Sequence, residues 1–227
     1  DGTGKPFTPG NYYYVGGNSK FYGAVLIRYR REDFSPVADI GGTTPGWPLS
    51  YDELEPSYAM AEALYQVRGR IGQDPTEPPH STAYPHPPVP DEAPIAALRK
   101  RLAKVGLHPS PLPLGVDLAQ WLARARTPWD AFPDTTGGKM DAETAALKVA
   151  LRHGNVRLRT KARVTRLQTG TSGRITGVEL SGGEVLTAPV VVLAAGAIQS
   201  VALLLASADG DHPNGLANRS DQVGRNF

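Results

Sequence analysis

Cysteine is missing altogether from the 227 residues, and its absence excludes disulfides, thiolate zinc sites and cysteine nucleophiles together. No apolar run approaches the roughly 18–20 residues that cross a bilayer. No basic-then-apolar leader opens the chain, which starts Asp1-Gly2-Thr3-Gly4 without an initiator Met. These features lead us to expect an interior piece of a longer polypeptide, with a cytoplasmic location favoured. An excess of one charge is lacking too: 24 basic and 22 acidic residues leave a formal +2. That balance offers no footprint for nucleic acid or an anionic membrane. The local run Arg28 to Asp33 (RYRRED) reads as a solvated face. There is no Gly-x-Ser-x-Gly elbow, no Gly-Lys-Ser/Thr phosphate loop and no Gly-x-Gly-x-x-Gly after a strand. The five histidines show neither an i, i+4 pair nor zinc-like spacing, so no metal site is expected. His80 and His86 read as surface residues.

What the chain does have is enough apolar material (40%) to bury a core. Residues 1–25 are rich in Gly and Tyr and read as loop with tight turns around Gly16 and Gly17. A helix is predicted after Trp47-Pro48. Ser50 and Glu53 have the spacing of a capping box, and Leu54, Tyr58, Ala61 and Leu64 form a stripe behind them. The acidic residues Asp52, Glu53 and Glu55 suit the positive end of that helix better than a catalytic pair. Prolines recur from Pro75 to Pro94 and predict an extended crossing segment. A second helix should begin near Pro94, present Ile95, Leu98, Leu102 and Val105 on one face, and stop at Gly106. A third should begin near Asp141 and end at Gly154.

Beyond Gly154 the period shortens. Short strands are expected at Val156–Leu158, through Val164 to Leu167, at Arg174–Leu180 and at Glu184–Leu186, with glycine-rich turns between them. Val190–Leu193 is a continuous apolar run of the kind buried on both faces of a sheet. The small-residue turn Ala194-Ala195-Gly196 and an apolar helix follow it. The fold class expected from this order is α/β, or α+β overall. It would be a partial Rossmann-like nucleotide-binding domain with an inserted β-meander, interleaved with part of a substrate domain. We divide the chain at 1–45, 46–138 and 139–227. The first and last segments are assigned to the nucleotide-binding domain, and the helical, Pro-rich middle to the substrate side.

Two places could carry chemistry. The turn Leu193–Ala197 lies at the carboxyl end of a predicted buried strand, where open α/β sheets bind dinucleotides, and the next helix offers its positive end. The other is Val15 to Lys20 (VGGNSK). Backbone amides around its glycines can face a phosphate or ring edge, and Asn18 and Ser19 add side-chain hydrogen bonds. Taken locally, the first is equally compatible with an ordinary packing turn, and the second reads more readily as one.

Six blocks in order nevertheless resemble the glucose–methanol–choline (GMC) oxidoreductase family. They are Asn11–Ala24 (NYYYVGGNSKFYGA), Gly46–Pro56 (GWPLSYDELEP), Asp74–Pro78 (DPTEP), Gly138–Glu143 (GKMDAE), Leu193–Ile198 (LAAGAI) with Ser200 and Leu203–Leu205, and Asp221–Asn226 (DQVGRN). The resemblance covers nearly the whole chain. It implies an FAD-dependent oxidoreductase acting on CH–OH groups of an alcohol, sugar or polyol, by hydride transfer to flavin and on to an electron acceptor. By motif, Gly16, Gly17, Asn18 and Ser19 would lie against the flavin and pyrophosphate. Val164 would meet the adenine ring through its backbone, and Ala195 and Gly196 would flank the adenosine half. Departures stand beside the matches. The opening glycine motif of the family is absent, the histidine base is expected beyond Phe227, and Pro128 and Pro133 stand in a stretch where relatives often carry cysteine. Two alternatives remain open: another FAD-fold oxidoreductase of the succinate/fumarate reductase or ketosteroid dehydrogenase type, and a non-catalytic piece that only packs or binds a partner.

Overall fold

The computed structural model describes residues 4–8, 10–124 and 131–225. Pro128 and Asn226, both named above, lie outside them. The chain divides into two compact units, residues 1–157 and 158–227.

In the first unit the hairpin β1 (Val37–Asp39) and β2 (Gly42–Thr44) precedes α1 (Tyr51–Leu64). The expected capping box opens α1: Ser50 Oγ accepts from Glu53 N at 3.3 Å, and Glu53 Oε2 accepts from Ser50 N at 2.8 Å. At its other end Gln66 adopts positive φ, and Val67 N reaches back to Glu62 O. Helix α2 (Ala93–Lys104) carries Pro94 in its first turn. It stops where Gly106 turns to φ +80° and Leu107 N bonds Leu102 O. The predicted stripe is there but stands partly in solvent, with Ile95, Leu98 and Val105 all exposed. Helix α3 (Leu118–Arg124) follows.

Between the helices, single bridges stitch extended segments together: Val25 to Leu114, Leu114 to Arg68, Arg68 to His86, and Val116 to Lys139. The Pro-rich segment thus contributes one bridge and otherwise runs through unpaired stretches and turns, one closed by Glu77 N on Asp74 O at 3.1 Å, in keeping with its missing amides. The predicted third helix begins with one wide turn, Ala142–Leu147, before α4 (Lys148–Ala150). Asp141 caps it by accepting from Thr144 N at 2.8 Å.

Two sequence readings are corrected in this unit, the first in part. The run Arg28–Asp33 is solvated at Tyr29, Arg31, Glu32 and Asp33, which are exposed, but not at Arg28. Arg28 is buried, with its guanidinium gripping Glu62 through two bonds of 2.7 Å and Glu55 and Tyr51 through bonds of 2.8 Å. Arg30 pairs with Asp74 and Arg31 with Asp52. Arg28 looks solvated in the sequence because Glu55 and Glu62 stand 27 and 34 residues on. His80 is likewise no surface residue. Its ring is fully enclosed, edge-on to Tyr84 and 3.1 Å from Glu77 Oε1, in an alignment that makes no hydrogen bond. His86, by contrast, bonds Gln66 at an exposed position.

The second unit is an antiparallel meander, β3 (Val164–Thr169), β4 (Ile175–Leu180) and β5 (Val185–Thr187), with α5 (Gly196–Ala206) packed on β3. Three of the predicted strands therefore form. Ser207 Oγ locks α5 to the sheet, accepting from Leu167 N at 2.9 Å and donating to Leu203 O at 2.6 Å. Gly177 permits the β4–β5 approach, since a Cβ there would lie 2.2 Å from Leu186 O.

Two predicted strands are corrected. Val156–Leu158 is not a strand, because Val156 N closes a turn onto His153 O. Val190–Leu193 is neither paired nor buried on both faces; Val190 and Val192 are 75% and 81% exposed. A strand needs a ladder partner, and none of the described residues supplies one. The chain is thus a mixed helix-and-sheet protein whose described sheets are antiparallel. No helix among the described residues is long and apolar enough to cross a membrane.

Candidate functional site

Tyr14 O accepts from Gly17 N at 2.8 Å, closing a four-residue turn. Gly16, third in that turn, has φ 89° and ψ −9°, the left-handed geometry of a type II turn. A Cβ on Gly16 would also lie 3.2 Å from Glu143 N, so conformation and packing both call for glycine. Gly17 is left-handed as well, at φ 56°, but a Cβ there would meet nothing within 4 Å. One side of the turn is therefore packed and the other is open. The chain then winds through a single tight turn, Gly17–Lys20.

The side chains of this loop are committed to holding it. Asn18 Oδ1 accepts from Tyr12 N at 3.0 Å, and its amide donates to Gly10 O at 3.1 Å. Ser19 Oγ donates to Gly16 O at 2.5 Å and accepts from Ala142 N at 3.1 Å. Tyr12 stacks on Phe21 with ring centres 4.1 Å apart. With Asn18 and Ser19 so engaged, what the open side offers a ligand is backbone.

Behind the loop stands the segment Gly138–Glu143. Lys20, 8% exposed, sets its ammonium 3.1 Å from Asp141 Oδ2 and 2.5 Å from Glu143 Oε2. Burial alone would push the Lys20 pKa down, but the bonds to Glu143 and Asp141 outweigh it and leave the pKa raised. Lys139, fully buried, donates to Tyr22 O at 2.8 Å and Phe132 O at 2.9 Å and lies over the Tyr22 ring. The Tyr22 hydroxyl donates to Met140 O, and burial pushes its pKa up. Asp134 accepts from Lys139 N and Thr136 N. Desolvation would raise the Asp134 pKa, yet the hydrogen bonds it receives, led by the Thr136 hydroxyl, hold it below the usual carboxylate range.

Two blocks that read as separate in the sequence thus form one clasp, with Lys20, Lys139 and Asp141 as its pins. None of the three was assigned a role at the site from the sequence. The one local signal was the cap position of Asp141, which marked a helix start and gave no hint of a lysine 121 residues away.

In the second unit Gly196 opens α5 at φ +79°, after Ala195 as N-cap. A Cβ on Gly196 would meet nothing within 4 Å, and Ala194–Ala197 are exposed. Val164 begins β3, opposite Leu180 in the ladder. The structure brings Gly16, Gly17, Asn18 and Ser19 together in one unit and sets Val164, Ala195 and Gly196 on neighbouring elements of the other. Among the described residues no cluster of His, Asp or Glu is arranged to hold a metal ion.

Comparison with known proteins agrees with these motifs. A family model described as GMC oxidoreductase matches residues 127–227. The chain is 34% identical, over 98% of its length, to paromamine 6'-oxidase of Streptomyces fradiae. It is 30% identical over 93% to 2-methyl-1,2-propanediol dehydrogenase of Mycolicibacterium austroafricanum, and 30% identical over 94% to the fructose dehydrogenase large subunit of Gluconobacter japonicus. It spans 39–41% of the length of these relatives. Its ordered motifs, the family model and these relatives agree: the chain belongs to the GMC oxidoreductase family.

Proposed function

We propose that this chain supplies part of the FAD-holding framework of an oxidoreductase acting on CH–OH groups of an alcohol, sugar or polyol. The observation that carries the reading is the two-sided turn at Gly16-Gly17, packed against Glu143 on one side and open on the other. Small residues at positive φ with empty space over their α-carbons let a large planar ligand approach the backbone closely. Gly196, which shares positive φ and open space with several turn glycines of the chain, differs from them in standing at an exposed helix start. We assign Gly16, Gly17, Asn18 and Ser19 to the flavin and pyrophosphate side, and Val164, Ala195 and Gly196 to the adenosine side.

Segments 1–45 and 139–227 then belong to the FAD domain and 46–138 to the substrate side. The Lys20–Asp141 and Ser19–Ala142 contacts join the first segment to the start of the last, while Arg28 joins it to the middle one through Glu55 and Glu62. Bound FAD would supply the two-electron acceptor for hydride leaving the carbinol carbon. The residues of this chain bind and orient. Gly16 and Gly17 shape the approach, while Asn18 and Ser19 hold the loop by their internal bonds. Lys20 and Asp141 anchor the loop from behind.

We place the proton-accepting base outside residues 1–227. Two of the histidines here are hydrogen-bonded, His86 to Gln66 and His212 to Asp209, and the His80 ring is fully enclosed beside Glu77 and Tyr84. The relatives comprise an oxidase and dehydrogenases, and either oxygen or another acceptor fits this framework.

Titrating the full-length protein with FAD and following flavin fluorescence tests the proposal. Saturable binding that weakens in Gly17→Val and Gly196→Val supports it. No binding by the full-length protein overturns it and leaves a packing or partner-binding role.

A further inference from the structure

Lys20, Asp141 and Glu143 form a buried charge group directly behind the Gly16–Ser19 loop. Three consecutive residues of the facing segment engage it. Asp141 Oδ2 pairs with Lys20 at 3.1 Å, Ala142 N donates to Ser19 Oγ at 3.1 Å, and Glu143 N sits 3.2 Å from where a Gly16 Cβ would lie. Asp141 is fully buried and spends its other oxygen on the helix cap, so Lys20 is its one cationic partner among the described residues. Glu143 is the outer member, with 30% of its side chain exposed. One ammonium and two carboxylates sum to −1, and low exposure leaves that charge poorly screened.

We propose that Lys20 is a positioning residue for the cofactor loop, and that the Lys20–Asp141–Glu143 group sets the electrostatic potential felt by the redox ring in front of it. This rests on the flavin reading of the loop. Two effects follow from one side chain. Lys20 ties the loop to the Asp141–Glu143 segment, so its loss loosens the loop that the ring packs on. It also cancels one of two negative charges, and reduction adds negative charge to the ring. A more negative surround therefore disfavours the reduced form, and a less negative one favours it.

The test uses the full-length protein loaded with FAD. Midpoint potentials are measured by equilibration with reference dyes, and FAD dissociation constants by fluorescence titration, for wild type, Lys20→Met, Lys20→Arg and Glu143→Gln. The expected results have opposite signs. Lys20→Met lowers the potential and weakens FAD binding. Glu143→Gln raises the potential, and Lys20→Arg stays close to wild type. Each shift should reach about tenfold in the reduction equilibrium, which is about 30 mV for a two-electron couple.

A purely structural role would move both variants the same way, or leave the potential unchanged while stability falls; either result overturns the inference. If Lys20→Met fails to fold, Glu143→Gln still decides the sign, because its partly exposed side chain can be neutralised with little change of shape. Failure of wild type to bind FAD would remove the flavin reading along with this inference. Binding with no shift in any variant would remove the inference alone.

Discussion

Replacing Arg28 by Met should be among the most damaging single changes in the first unit. The Arg28 side chain is 1% exposed, and its guanidinium makes four hydrogen bonds of 2.7–2.8 Å, two to Glu62, one to Glu55 and one to the Tyr51 hydroxyl. It also lies 5.5 Å from the centre of the Tyr58 ring. All four partners lie on α1, so Arg28 tethers that helix to the segment before it. Deleting one member of a buried pair costs about 3–5 kcal/mol, because the remaining carboxylate stays buried without its cation. Glu62, 5% exposed, is that carboxylate. In a domain stable by about 5–15 kcal/mol, such a loss is a large fraction of the whole. For a chain of this size it lowers the melting temperature by about 6–20 °C, at about 2–4 °C per kcal/mol. Thermal melts followed by circular dichroism measure it. Arg28→Lys keeps the charge and loses the planar fork, so it should fall between wild type and Arg28→Met. The double variant Arg28→Met with Glu62→Leu should recover most of the loss, since no lone charge is left buried. A fall of under about 2 °C in Arg28→Met would refute this reasoning and put the pair energetically with solvated surface bridges.

Three further outcomes follow from other contacts. Glu55 is held down to about 2, chiefly by Arg28, and Asp209 to about 2, chiefly by the Thr169 hydroxyl. Both folded values lie below the ordinary ones, so their stabilisation is complete above about pH 4.5 and is lost as pH falls toward 2. Melting temperatures between pH 5 and 2 should therefore drop, and Glu55→Gln should flatten the slope; an unchanged slope would exclude Glu55 as a source. Ser207→Ala should cost about 1–3 kcal/mol by orphaning the Leu167 amide, read by urea denaturation, whereas a change below about 0.5 kcal/mol would mean water takes over the bond. Gly177→Ala should part β5 from β4, because its Cβ would fall 2.2 Å from Leu186 O; amide exchange at Val185–Thr187 should then quicken, and unaltered protection would contradict that packing.

Locally encoded features were the legible part of the fold. The Ser50–Glu53 cap, Pro94 and Gly106 at the ends of α2, and the strand–glycine rhythm of β3 to β5 each involve neighbours within a few residues. Such signals survive in a single sequence because their physics is short-ranged. The buried charge clusters were not legible. Arg28 looked solvated because Glu62 stands 34 residues on, and His80 looked exposed because prolines around it suggested surface. Val190–Leu193 shows a third kind of failure: the run is as apolar as a buried strand, but burial needs a partner strand. At the candidate site, Gly16 and Gly17 were visible as a turn. That one would be packed and the other open depended on Glu143, which periodicity cannot bring to the loop.

A structure of the full-length protein with FAD bound would test the central claim most directly. The account predicts the flavin or pyrophosphate against the backbone of Gly16–Asn18, on the side where Gly17 is open, with Lys20, Asp141 and Glu143 joined behind the loop. FAD bound elsewhere, with the Gly17 side facing solvent or another part of the chain, would contradict it.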